Sequence, residues 1–108
     1  MSLNIDLTPK APVEVVQYSF DFTTLLLEGE TITSASFTVK NYFGYDPHPE
    51  DLLDGPLVNT TPIITQNIKG GILNTVYLIR CAAVTDLNHT YLIVGTLTLQ
   101  EKENHNYG

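Results

Sequence analysis

At 108 residues, with 12 acidic and 5 basic side chains and a formal charge of −7, the chain is the size of one domain, and its surface repels phosphate backbones, so nucleic acid is not an expected partner. No run approaches the roughly 20 apolar residues of a membrane helix, and the start, Met1-Ser2-Leu3-Asn4-Ile5-Asp6, lacks the basic and apolar parts of a secretory signal. The single cysteine, Cys81, excludes an internal disulfide, and a chain of this size can build a core without one.

Residues 1–12 hold Pro9 and Pro12 and little apolar periodicity. They are expected to form an extended arm outside the core. A folded domain is expected over 13–100. Its first strand runs from Val13 to Phe22, with Val16, Tyr18, Phe20 and Phe22 recurring at period two. Thr23 to Gly29 breaks that alternation. A short helical turn stopped by Gly29 would let Leu25, Leu26 and Leu27 plug one end of the domain. Thr31 to Lys40 alternates again, with Thr33, Ala35, Phe37 and Val39 on one side and Ser34, Ser36 and Thr38 on the other. That is the pattern of an antiparallel strand with one wet face.

From Asn41 to Pro56 the pattern fails, and Pro47 and Pro49 forbid a regular strand. A loop of this length in a compact domain is often functional. Leu57-Val58 and Pro62 to Ile68 are the next strands. Gly70-Gly71 then turns into the run from Thr75 to Val84, where Tyr77, Ile79, Cys81 and Ala83 share an apolar face. The loop Thr85 to Thr90 leads to a last strand, Tyr91 to Leu99, completing a hairpin. The segment 101–108 is polar and reads as a tail. Six or seven short strands with no long helix predict an all-β, immunoglobulin-like or fibronectin-like antiparallel sandwich.

Catalytic and metal chemistry is not expected. Asp46, His48, Glu50, Asp51 and Asp54 lack the donor spacing and central glycine of a calcium loop, and no second histidine or thiol stands at zinc spacing. His89 falls in a hairpin loop and His105 in the tail, so neither is expected to have an acid or nucleophile beside it. Gly70-Gly71 does not open a helix, as a phosphate loop would. Cys81 reads as a packed thiol. The triplets Asn59-Thr60-Thr61 and Asn88-His89-Thr90 match the glycosylation pattern, but with no secretory route expected they read as loop and strand-start residues. No enzyme, cofactor or metal is therefore predicted.

The stronger signals concern surfaces. Leu78, Ala82 and Val84, interrupted by Arg80, lie opposite the core face of their strand, and Leu92 and Val94 do so on the next. A one-sided sheet would carry polar residues there. Either the arm or the loop from Tyr42 covers this face, or a neighbouring subunit does. Tyr42, Phe43 and Tyr45 either cap the domain or anchor an interface. The candidate interface residues are Tyr42, Phe43, Tyr45, Leu52, Leu53, Leu78 and Val84.

Two segments carry a family resemblance. Tyr18-Ser19-Phe20-Asp21-Phe22, followed by the leucine-bearing turn, Gly29-Glu30-Thr31-Ile32 and the alternating strand to Val39, is similar to the opening of small immunoglobulin-like structural proteins of tailed bacteriophages. Gly70-Gly71, Thr75-Val76-Tyr77-Leu78-Ile79, Thr85-Asp86 and Gly95-Thr96-Leu97-Thr98-Leu99 resemble their second half. Phe22 stands where those proteins usually have tryptophan, and the Tyr42 to Pro56 loop is longer and richer in proline. The resemblance spans Val13 to Leu99. It implies a non-enzymatic adaptor of the fiber–tail or head–tail type, made in the host cytoplasm and built into the virion at the neck or tail. Its implied partners are copies of itself in a ring and other virion proteins. The arm and long loop would reach these neighbours, and the acidic surface would select a basic patch. The alternative function is a stand-alone module for carbohydrate or cell surfaces, with the loop aromatics as its platform.

Overall fold

The computed structural model describes residues 2–101. These form seven strands: β1 (Ser2–Asp6), β2 (Val16–Asp21), β3 (Ile32–Phe43), β4 (Leu53–Thr60), β5 (Ile63–Ile68), β6 (Val76–Thr85) and β7 (Thr90–Thr98), with one 3-10 turn at Pro49–Leu52. Two sheets, ordered β1-β7-β6-β3 and β2-β5-β4, make an immunoglobulin-like sandwich. All pairs are antiparallel except β1 with β7.

The alternation seen in sequence becomes the core. Phe20, Ile64 and Ile68 from the three-stranded sheet, with Phe22 just past the end of β2, pack with Tyr77, Ile79, Cys81, Ile93 and Leu97 from the other, all of them fully enclosed. Phe20 and Phe37 meet edge to face between the sheets, with ring centroids 5.2 Å apart. Such a pair adds about 0.5–1.5 kcal/mol beyond its burial.

Three expectations are corrected. Residues 2–6 are not a detached arm but the fourth strand of a sheet, with Leu3 and Ile5 packed on the core. The rest of the segment is also built in: Leu7, Lys10 and Ala11 are buried. Gly95 makes this possible, because a Cβ there would lie 2.8 Å from Leu7 Cγ and Cδ1. Parallel pairing at a sheet edge leaves no hydrophobic repeat long enough to announce itself, and the two prolines mask the strand beside them. The segment after β2 makes one helical turn, with Leu25 N and Leu26 N both donating to Phe22 O, but of its three leucines only Leu25 and Leu26 pack on the core, and Leu27 is exposed instead of plugging the end. The irregular stretch 41–56 is mostly structured. β3 continues through Tyr42 and Phe43 past a bulge at Asn41, and β4 begins at Leu53. β4 tolerates Gly55 and Pro56 because its register with β5 shifts between Asp54 and Val58. There the buried Gln66 amide donates to Asp54 O and Gly55 O. Of the polar tail, only Glu101 falls within the described residues, and it is exposed.

Candidate interaction surfaces

Strand direction sorts the loops into two ends. β1, β3, β5 and β7 finish where β2, β4 and β6 begin. That end therefore carries the loops 7–15, 44–52 and 69–75. The other end carries 22–31, 61–62 and 86–89.

At the first end the three loops are tied to one another. Tyr77, the second residue of β6, accepts a hydrogen bond at Oη from Ile72 N–H (2.9 Å) and donates to Asp46 Oδ2 (2.8 Å). A tyrosine at this corner, bonded back to main chain just upstream, is a habit of immunoglobulin-like sandwiches. Burial, above all, with the Asp46 carboxylate beside it, pushes the Tyr77 hydroxyl up to about 12. Asp46 also accepts from His48 N–H through Oδ1, and its carbonyl accepts from Asn41 Nδ2. Gly44 closes the loop with φ of 83°, and a Cβ there would sit 3.0 Å from Thr75 Oγ1. On the other side Lys10, fully buried, donates from Nζ to Ala11 O (2.8 Å) and Gly70 O (2.6 Å). Desolvation lowers its pKa, opposed by the charge of Glu14.

On this frame the apolar side chains point outward. Tyr42, Phe43 and Tyr45 are 69%, 66% and 72% exposed, and Val13 is 91% exposed. Val15, Ile72 and Leu73 are exposed as well. Seven of the eleven large apolar side chains exposed among the described residues lie at this end, against two, Leu27 and Leu87, at the other. Exposed acids surround them: Asp6, Glu50, Asp51 and Glu101, with Glu14 half-buried, and the exposed lysines there are Lys69 and, level with Asp6 across the sheet, Lys40.

The structure thus gathers Tyr42, Phe43 and Tyr45 at one end of the sandwich. Leu52 is corrected: it is buried against the core at the end of the 3-10 turn and offers nothing to a partner. Leu53 beside it is half-buried. Leu78 and Val84 lie on the outer face of the four-stranded sheet, where Leu78 pairs Thr96 and Lys40, and Val84 pairs Thr90 and Ser34. With Ala82, Leu92 and Val94 they make an apolar stripe two strands wide, with Arg80 in its middle. Ser34, Ser36, Thr38 and Lys40 border it on β3, and Ser2, Asn4 and Asp6 on β1. The amino-terminal segment extends this sheet sideways rather than covering it.

Val13, Val15, Ile72 and Leu73 were missed in the sequence. The expected strand from Val13 put Val13 and Val15 on its outward phase, and apolar residues on that phase were the available signal; β2 begins only at Val16, and both valines lie in the loop before it.

At the second end the chemistry is polar. Glu30 is buried, and its carboxylate accepts from Leu27 N–H (2.8 Å), Tyr91 Oη (3.0 Å) and Thr85 Oγ1, with His89 Nδ1 2.9 Å away, which corrects the expectation that His89 has no acid beside it: the partner comes from 59 residues upstream. Burial works to raise this carboxyl, but the donors, led by Thr85 and Leu27 N–H, outweigh it and hold it at about 2. Asp86 caps the neighbouring strand by accepting from Thr31 N–H.

No cavity and no metal-holding cluster occur among the described residues. Cys81 is enclosed, and burial pushes its thiol up to about 12. The geometry of this molecule is one of surfaces.

A family model described as podophage GP4 fiber-tail adaptor protein gp77 matches residues 10–94, well over half of the chain. No curated protein matches it.

Proposed function

We propose a function from one premise: the chain belongs to the podophage GP4 fiber-tail adaptor family. The protein is a structural part of the virion that performs no catalysis and joins its neighbours through protein contacts at the neck or tail. Copies stand side by side in a ring, with the apolar stripe of Leu78, Val84 and their neighbours as the contact between them. The observation that carries this reading is the frame of Asp46 and Tyr77 beneath Tyr42, Phe43 and Tyr45. Rigid exposed aromatics lose little freedom on docking, which suits them to serve as anchors.

The test is to purify virions from an infection in which this gene carries a stop codon. Particles that lack fibers but are otherwise complete, and regain them when the purified protein is added, support the reading. Particles with a full complement of fibers in its absence overturn it.

A further inference from the structure

We propose that the end of the sandwich formed by the loops 7–15, 44–52 and 69–75 docks on a different protein whose apolar patch is rimmed by lysine and arginine, rather than on a second copy of this chain. This deepens the adaptor reading above and rests on it.

Three observations lead there. Exposed apolar side chains concentrate at this end: Val13, Val15, Phe43, Tyr45, Ile72 and Leu73. Scattered singly they would need no explanation, but gathered on adjoining loops they mark a contact. The loops are also held in place, through the Tyr77 hydroxyl between Ile72 and Asp46 and through Lys10 between Ala11 and Gly70. A pre-ordered apolar surface docks with less entropy lost than a mobile one.

The third observation chooses the occupant. Asp6, Glu14, Glu50, Asp51 and Glu101 surround the patch, against two exposed lysines, Lys69 and Lys40, so acids outnumber cations there five to two. Two copies meeting through this end would bring acid against acid, in a chain whose formal charge is already −7. Like charges facing each other across an interface oppose docking, whereas a rim of opposite charge steers the encounter and sets the register. The surface therefore matches a foreign partner of basic rim.

The experiment uses virions assembled without this protein as the probe, incubated with purified full-length chain at rising NaCl. Wild-type rebinding is expected to weaken with salt, because rim charges are screened. Tyr45→Asp and Val13→Asp are expected to weaken rebinding by about tenfold or more, the scale of an interface anchor. Glu50→Lys with Asp51→Lys is expected to weaken rebinding at low salt and to flatten its salt dependence. Leu87→Asp, at the opposite end, is expected to rebind as wild type. Thermal midpoints near wild type establish that each variant is folded.

Rebinding of Tyr45→Asp and Val13→Asp at wild-type strength overturns this inference while leaving the adaptor reading intact. A wild-type chain that does not rebind at all overturns the adaptor reading itself, and the inference with it. If sedimentation shows the isolated chain self-associating, and Tyr45→Asp abolishes that, the occupant is a second copy and the proposal is wrong.

Discussion

Where β6 begins, Lys10, Asp46 and Tyr77 are spent on holding loops together, and the apolar side chains of those loops face water. Where β6 finishes, the arrangement is reversed: Glu30, Thr85, His89 and Tyr91 form a closed polar knot, while Leu25 and Leu26 pack inward on the core. Both ends pair nearly all their buried polar groups, Asn41 Oδ1 at the first end being the exception among the described residues. They differ in what remains for the surface. The second end completes the fold. The first sets aside apolar area that folding alone would have buried, and such area is retained where something else covers it.

Tyr77→Phe should break the comparison most severely. It keeps the ring in the core and removes only the hydroxyl that Ile72 N–H and Asp46 share. Each buried polar group left unpaired costs about 1–3 kcal/mol, so a loss of about 2–4 kcal/mol is expected in chemical denaturation. Amide exchange should quicken in 44–48 and 69–75 and stay unchanged in 86–89. A loss below about 0.5 kcal/mol with even exchange would mean that the hydroxyl does not organise the apolar end.

Glu30→Gln tests the opposite end through pH. The Glu30 carboxyl is held at about 2, below the ordinary carboxylate value near ~4.3. A depressed acid contributes stability that is full above its unfolded pKa and is lost as pH falls through its folded one. Wild type should therefore outlast Glu30→Gln at neutral pH, and the gap should close progressively from about pH 5 to about pH 2. Thermal melts across that range read it directly. A gap that stays constant with pH would show that the carboxylate's charge plays no part in the knot.

Lys10→Met should act more gently. The thioether keeps an unbranched stem in the same space and removes the two hydrogen bonds from Nζ. About 1–2 kcal/mol is expected, because the two bonds from a charged donor, about 3–6 kcal/mol together, are offset by the cost of enclosing the charge. Because the variant also relieves the cost of enclosing an ammonium group, an increase in stability would show that Lys10 is retained for loop placement rather than for folding.

How far the sequence foretold this molecule follows from how local each signal was. Tyr77, Ile79, Cys81 and Ala83 alternate within one strand, so their burial was legible without any partner. Tyr42, Phe43 and Tyr45 stood out because no alternation could place them inside. β1 was illegible, since its worth lies in Leu3↔Ile93 and Ile5↔Gly95, pairs about ninety residues apart in the chain. Leu52 looked like loop and proved to be core, because a 3-10 turn of four residues aims one side chain inward and has no period to show it. The apolar end as a whole was beyond reach for the same reason. Its valines and its aromatics come together through contacts such as those of Lys10 and Tyr77, which tie loops far apart in the chain.

Val13→Ser and Leu87→Ser should have the smallest effect, and they sharpen the contrast between the ends. Both side chains are exposed, one at each end, so each substitution should shift the free energy of unfolding by no more than about 0.5 kcal/mol. Denaturation midpoints alone would then treat the two ends as equals, and only attachment to the particle would tell them apart. A cost above about 1 kcal/mol for Val13→Ser would place that side chain in a packed environment. The apolar end would then be an extension of the core, and the reason to look for a partner there would be gone.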